Sequence, residues 1–242
     1  MSDFNRAYAP SADMSVDAGL RAFMLGVYNK LGLGLVLSAA LAYLFSHQLA
    51  SVFYTMAGDQ ITGFTLVGTL ARWAPVIIII ASAFLMRNPT PVGAAILYWT
   101  IVSLMGAGLS VWFMLYRLGS VAQVFLITAA AFGALSLIGY TTKRDLTGFG
   151  SFLIMGVVGI FIAVVVNAFV HSAMIQFIVS VLGVLIFAGL TAYDTQRLKL
   201  TYYHLGGNEA ARGVATNYGA LSLYLDFINL FQFLMSLMGG RR

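Results

Sequence analysis

The amino-acid sequence predicts an all-α integral membrane protein, built as a bundle of seven transmembrane helices. Two observations predict this class. Of the 242 residues, 60% are apolar and only 9% are charged, whereas about 25% of the residues in an average globular protein are charged. Long stretches also contain no Asp, Glu, Lys or Arg, the longest being residues 146–193. Such a chain cannot cover a water-facing surface with charge, so we expect lipid around it.

The length of these stretches predicts helices. Strands of a membrane barrel use about ten residues and alternate polar with apolar side chains, whereas a helix needs about 20 residues to cross a hydrocarbon core of ~30 Å. We predict helices over residues 27–47, 66–86, 92–116, 121–141, 149–170, 175–193 and 218–238. The charge-free stretch 146–193 holds two crossings, with a turn at His171 and Ser172.

The first 26 residues precede the first predicted helix. They contain Asp3, Asp13 and Asp17 and lack the apolar core of a signal peptide, so we interpret residues 1–26 as a cytoplasmic N-terminal tail. Residues 27–242 show no linker and no shift in composition. We expect them to form one transmembrane domain.

The basic residues predict the orientation. A cytoplasmic N-terminus and seven crossings place more Lys and Arg on the cytoplasmic side, which satisfies the positive-inside rule. The cytoplasmic set is Arg6, Arg21, Lys30, Arg87, Lys143, Arg144, Arg197, Lys199 and Arg212, and the outer set is Arg72, Arg117, Arg241 and Arg242. The dibasic C-terminus opposes this bias and leaves open a last helix that does not fully cross. The inner loops account for the net charge of +5, so we expect no nucleic-acid partner.

Small residues four positions apart predict close helix contacts. Gly34, Ser38 and Ala42 have this spacing in the first predicted helix, and Gly159 and Ala163 have it in the fifth. Small side chains let two helices approach closely in lipid, where the hydrophobic effect does not drive helices together.

Two acidic residues lie in or at the end of predicted helices, Asp194 and Asp226. An ionisable residue at such a depth indicates a functional site. Two desolvated carboxylates within a few ångströms share a proton, so the pair responds to pH. Fully ionised, it offers hard oxygen ligands of the kind that Ca²⁺ prefers. The sequence therefore predicts a metal site at Asp194 and Asp226, provided that the sixth helix tilts or continues past residue 193 to bring the two acids level.

Each acid also has a structural interpretation. Asp194 can pair with Arg197 at the i+3 position or lie in the headgroup zone, and Asp226 can be neutral and hydrogen-bonded to a neighbouring helix. Arg87 ends the second predicted helix on the same side and is a second candidate partner of Asp194, although it can equally reach lipid phosphate. Oxygen ligands beyond the two carboxylates would come from Thr191, Thr195, Gln196, Asn229, backbone carbonyls or water.

Other sites are disfavoured. The chain has no cysteine, and His47, His171 and His204 fall on different sides, so we expect no zinc site and no bound cofactor. Asn167 is interpreted as a polar contact between helices.

The sequence also lacks the motifs of membrane hydrolases. It has no H-E-x-x-H and no G-x-S-x-G motif. Intramembrane aspartyl proteases carry Gly-x-Gly-Asp at their second acid, whereas residues 223–226 read LYLD. We expect no enzymatic activity.

Several segments resemble the successive signatures of the Bax inhibitor family. They are FGALSLIGYTTKRDL at 132–146, VNAF at 166–169, GLTAYDTQ at 189–196 and LYLDFINLF at 223–231. Residues 26–28, 32–38, 98–99 and 109–110 fit as well, and the resemblance covers about residues 25–238.

The resemblance implies a seven-helix protein of a bacterial inner membrane, whose last helix is surrounded by the other six. It also implies a pH-sensitive Ca²⁺ leak governed by two aspartates, which match Asp194 and Asp226. An arginine in the second helix bonds one of these acids in the family, and Arg87 is the candidate here. We expect a pH-gated leak with Ca²⁺ as the transported ion. The alternative is a membrane-embedded regulator of another membrane protein, such as an AAA-type membrane protease, with the N-terminal tail as the docking element.

Overall fold

The computed structural model describes residues 18–57, 60–205 and 207–240. Residues 1–17 of the predicted tail, and the basic residues Arg241 and Arg242, lie outside this part of the chain. The described elements are α1 (Ala18–His47), α2 (Ala50–Phe53), β1 (Tyr54–Ala57), β2 (Gln60–Phe64), α3 (Leu66–Leu85), α4 (Pro91–Leu115), α5 (Leu118–Thr141), α6 (Thr147–Val170), α7 (Ala173–His204) and α8 (Glu209–Met238). The two strands form a small antiparallel hairpin between α2 and α3.

Six of the described helices are long and apolar enough to cross a membrane. They are α1, α4, α5, α6, α7 and α8. In α3 the apolar part, Leu66–Ser82, is shorter than the others, and Pro75 lies inside the helix. The prediction of an all-α integral membrane protein is confirmed, whereas six rather than seven of the predicted crossings meet this criterion.

Helices α1 and α4 lie side by side and run in the same direction. The Tyr98 hydroxyl donates a hydrogen bond to the Lys30 carbonyl over 2.7 Å, and two turns further along α1 the Ser38 hydroxyl donates to the Val102 carbonyl over 3.1 Å. The chain must therefore return to the first end of the bundle before α4 begins. Helix α3, which packs against α4, makes this return.

The predicted helix bounds agree with the structure except at three termini. Helix α1 begins at Ala18 rather than residue 27, α7 continues to His204 rather than ending at residue 193, and α8 begins at Glu209 rather than residue 218. Residues 18–26, assigned to the tail, are thus helical. At α7 and α8 the sequence interpretation ended the helix at the first polar residue, Asp194 and Asn217, but backbone hydrogen bonding continues through polar residues until a cap stops it. In α8 that cap is the Asn208 side chain, which accepts from the Ala211 N–H over 3.1 Å.

Helix α8 lies at the centre of the bundle. It packs against α1, α4, α5 and α7. Half of the residues in its most apolar stretch are buried inside the protein, compared with 11% of those in α6. Helix α6 packs against α7 at the outside of the bundle. The last helix is thus central, as the family resemblance implies, and in the described part of the chain its main contacts are with these four helices.

Small residues mediate close contacts, although not all at the predicted places. Gly34, Ser38 and Ala42 are all buried in α1, and a Cβ atom on Gly106 of α4 would lie 2.7 Å from the Ser38 Cα, so this prediction is confirmed. The prediction for Gly159 is wrong, because no atom of the described residues lies within 4 Å of a Cβ placed there.

In α6 the close approach to α7 occurs at other glycines. A Cβ on Gly150 would clash with the Tyr193 ring, and one on Gly156 would lie 2.7 Å from the Ile186 side chain. Both faces of α6 are apolar, so the sequence pattern could not show which one meets protein.

The turn between α6 and α7 lies where it was predicted. His171 ends α6 in the left-handed conformation, with φ of 52°, and the Ser172 side chain caps α7. The Asn167 side chain accepts a hydrogen bond from the Ser172 N–H over 2.9 Å. Asn167 therefore shapes the connection between the two helices.

Candidate functional site at Asp194 and Asp226

The extension of α7 to His204 places Asp194 well inside a helix. Its neighbour α8 runs antiparallel and carries Asp226, and each of the two residues is only 5% exposed. The helix therefore continues past residue 193, as the prediction of a site at these two acids required.

Asp194 has two partners in the structure. Its Oδ1 lies 3.4 Å from Nη2 of Arg197, one turn further along α7. Its Oδ2 accepts a hydrogen bond from the Ser222 hydroxyl of α8. Ser222 precedes Asp226 by four residues, so Asp194 lies about one helical turn, ~6 Å, from the level of Asp226.

Asp226 is deeper and less well paired. Its Oδ2 is fully buried and has no hydrogen-bond partner among the described residues, so the interpretation of Asp226 as a hydrogen-bonded carboxyl is not supported at this atom. Asp226 lies close enough to interact electrostatically with both Asp194 and Arg197. A buried acceptor without a partner is rare in proteins and costly. The site can therefore accept a proton or a cation.

The arginine that pairs with the site differs from the candidate taken from the family. Arg87 follows the end of α3, is exposed, and takes part in neither of the two salt bridges found in the described part of the chain. Arg197 pairs with Asp194 instead, as the i+3 spacing indicated. The assignment of Arg87 as the partner of Asp194 is thus corrected. Two residues three positions apart on one helix lie close together, whereas matching Arg87 to an arginine of the family does not place it near another helix.

Most of the additional oxygen ligands suggested by the sequence have other roles. The Thr191 hydroxyl donates to the Phe187 carbonyl and that of Thr195 to the Thr191 carbonyl, each over 2.8 Å. The Asn229 amide donates to the Leu225 carbonyl, also over 2.8 Å. These groups remain close to the two acids along the chain, but their donors are used within their own helices.

Gln196 fastens the loop between α5 and α6 to α7. Its side-chain amide donates to the Arg144 carbonyl over 2.7 Å, and its carbonyl accepts from the Leu146 N–H over 2.8 Å. Since both ends of this side chain are occupied, we assign Gln196 to the positioning of the loop and not to metal binding.

Two neighbours of the site were missed by the sequence analysis. Ser222 binds Asp194 directly, and the Tyr28 hydroxyl lies 3.3 Å from the Thr195 hydroxyl. The i−4 spacing of Ser222 from Asp226 was a usable signal, because it places both on one face of α8. Nothing in the sequence pointed to Tyr28, which comes from α1, 167 residues away.

The donor set limits what the site can bind. No group of three or more His, Asp or Glu side chains comes together in residues 18–57, 60–205 and 207–240. Ca²⁺ takes six to eight oxygen ligands, so two carboxylates need water or backbone carbonyls to complete a shell. The arrangement suits exchange of protons and weakly held cations.

The loop at this end of the bundle carries a separate acid. Asp145 accepts a hydrogen bond from the Thr147 N–H over 2.8 Å, at the start of α6. The hydrogen bonds from Thr147 hold the pKa of this fully exposed carboxyl below its usual value.

Comparison with known proteins identifies the family. Residues 20–242 match the family model described as inhibitor of apoptosis-promoting Bax1. The chain is 57% identical to a protein of Caulobacter vibrioides, with both chains covered completely. It is 39% identical to protein RP147 of Rickettsia prowazekii, over 96% of this chain and 95% of that one. It is 38% identical to the inner membrane protein YbhL of Escherichia coli strain K12, over 96% and 98%. The chain is therefore a member of the Bax inhibitor family.

Proposed function

We propose that this protein is a pH-sensitive Ca²⁺ leak of a bacterial inner membrane, with Asp194 and Asp226 as its cation site and gate. The observation that carries the proposal is the buried Oδ2 of Asp226, which has no hydrogen-bond partner among the described residues and lies beside a second buried carboxylate. An ionised pair attracts Ca²⁺, whereas a protonated pair does not, since metal binding requires the ionised ligand. Protons and Ca²⁺ then compete for the same oxygens.

The proposal includes seven crossings and a cytoplasmic N-terminus. It is supported by the parallel arrangement of α1 and α4, which requires a return through α3. Twenty residues of helix span ~30 Å, the thickness of a hydrocarbon core, so the full length of α3 suffices. The location in the inner membrane follows the description of the relative YbhL.

The ion pair between Arg197 and Asp194 is weak enough for a cation to displace it. Arg197 is 47% exposed at the side chain, and an ion pair with an exposed partner contributes little, typically below about 1 kcal/mol. An incoming cation can therefore displace Arg197 from Asp194 at small cost. We propose that this exchange couples cation entry to the contact between α7 and α8, which includes the Ser222 hydrogen bond.

Reconstitution tests the proposal. The purified full chain is placed in Ca²⁺-free liposomes containing a Ca²⁺ indicator, and Ca²⁺ influx is measured at several pH values from about pH 5 to 8. We expect influx that depends on pH and that changes its pH dependence in Asp194→Asn and Asp226→Asn. Influx equal to that of protein-free liposomes would refute the leak.

The same experiment separates the leak from the alternative of a membrane-embedded regulator. A leak requires no second protein, whereas a regulator of an AAA-type membrane protease would be silent in liposomes that contain it alone. We also propose that the protein is not an enzyme and holds no resident cofactor.

A further inference from the structure

A cavity lies at the beginning of α4, away from the two aspartates. Its volume is about 580 Å³, and α4 forms most of the wall through Val92, Ala95, Ile96 and Trp99. Lys30 from α1 and Asn217 from α8 complete it. Three parallel helices thus meet at one opening on the side of the bundle.

The charge of Lys30 is not neutralised at this cavity. Its Nζ donates a hydrogen bond to the Asn217 Oδ1, and no carboxylate of the described residues forms an ion pair with it. Asn217 is 4% exposed. Its amide nitrogen donates to the carbonyls of Pro91, at 3.3 Å, and Gly213, at 2.9 Å. These bonds fix the orientation of the amide, so a neutral oxygen faces Lys30 and the positive charge remains.

The opposite wall of the cavity is apolar and accessible. Val92 and Ile96 are 69% and 63% exposed, and they lie one turn apart on the outer side of α4. The wall continues from Pro91 to Thr100, a rise of about 13 Å along the helix. Trp99 borders it, and Trp is enriched where a membrane protein meets the interface between lipid and water.

We infer that this cavity binds an anionic phospholipid, with the phosphate at Lys30 and an acyl chain along Val92 and Ile96. The cation and the apolar wall match the two parts of such a lipid. A soluble anion would leave the apolar wall uncovered, and a zwitterionic lipid would bring its own cation to a site that already has one. Basic pockets between transmembrane helices commonly bind anionic headgroups.

Competition between lipids tests the inference. The purified full chain is incubated in detergent with equal amounts of phosphatidylglycerol and phosphatidylcholine, and the bound lipids are counted by native mass spectrometry. We expect the wild type to prefer phosphatidylglycerol. Lys30→Met should reduce this preference about fivefold, the effect of one basic residue at an anionic surface, while Lys30→Arg should retain it.

Two further variants make the test specific. Lys143→Met removes one positive charge from an exposed loop position and should leave the preference unchanged. Ala95→Phe fills the apolar wall while leaving Lys30 and Asn217 in place, and it should reduce phosphatidylglycerol binding even if Lys30→Met folds poorly. An unchanged lipid preference in Lys30→Met, together with unchanged phosphatidylglycerol binding in Ala95→Phe, would overturn the inference. So would displacement of phosphatidylglycerol by millimolar inorganic phosphate, which would indicate a site for the free anion.

Discussion

Asp194 and Arg197 lie one turn apart on α7, with 3.4 Å between Oδ1 and Nη2. The carboxylate proposed to bind Ca²⁺ thus already has a cation beside it, and that cation is half exposed. Arg197 favours the ionised form of Asp194, and it also repels a second cation. Both effects have measurable consequences, and they act in opposite directions on Ca²⁺ binding.

Replacing Arg197 should change the affinity and the pH dependence separately. In Arg197→Met we expect Ca²⁺ to bind about two- to fivefold more tightly at alkaline pH, because the competing cation is gone. The pH at which binding is half lost should rise by up to about one unit, since the ionised carboxylates lose a stabilising charge. Isothermal titration of Ca²⁺ at several pH values measures both, and no change in either would exclude Arg197 from the site.

Replacing Asp226 should remove the cation site while leaving the fold intact. Asp226→Asn keeps the volume of the side chain but removes the charge, and we expect Ca²⁺ affinity to fall about tenfold or more and the pH response of Ca²⁺ influx to flatten. Asp145→Asn is the matched control, because it removes an exposed carboxylate at the same end of the bundle. Equal influx profiles for the wild type and both variants would exclude Asp226 as the gate.

The contact between α5 and α7 should depend on a single glycine. A Cβ on Gly139 would clash with the backbone carbonyl of Ala192, which cannot move aside as a side chain can. We expect Gly139→Ala to destabilise the protein by about 1–3 kcal/mol, measured by thermal unfolding in detergent. The Cβ of Gly133→Ala, on the same helix, would have no neighbour within 4 Å in the described part of the chain. This substitution should be neutral or stabilising, since Ala favours helix by up to about 1 kcal/mol.

The loop before α6 should contribute a pH-dependent stability. The pKa of Asp145 is lowered from 3.8 by the hydrogen bonds from Thr147. The contribution of this carboxylate to stability is therefore complete above its pKa in the unfolded chain. It is lost as the pH falls through the lower pKa of the folded protein. Near pH 6, Asp145→Ala should melt at a lower temperature than the wild type. Once the carboxyl is protonated in acid, the two should melt at the same temperature. A melting difference that persists in strong acid would contradict this origin.

Reporter fusions test the proposed topology. A reporter placed at Gly207 should be cytoplasmic, and one fused after Arg242 should be extracytoplasmic, because α8 lies between them and is long enough to cross. If both reported the cytoplasm, α8 would have to enter and leave on the same side.

Much of the architecture could be predicted from the sequence because hydropathy is a local property. A run of about 20 apolar residues must cross the bilayer wherever it is packed, so the starts and ends of α4, α5 and α6 were predicted within three residues. The two buried acids could be found in the same way, since an ionisable residue in an apolar run is conspicuous without any knowledge of its neighbours.

The sequence by itself determined that this protein lies in a membrane and where along the chain most of its helices lie. It also determined that Asp194 and Asp226 are acidic residues in or at the end of apolar helices. Only the tertiary structure decided that Arg197 rather than Arg87 pairs with Asp194, that Ser222 joins α8 to the site, and that Gly150 rather than Gly159 meets α7. The reason is that lipid and protein interior are equally apolar. Helix faces turned to either one carry the same kind of side chain, so a pattern of hydropathy cannot show which faces meet.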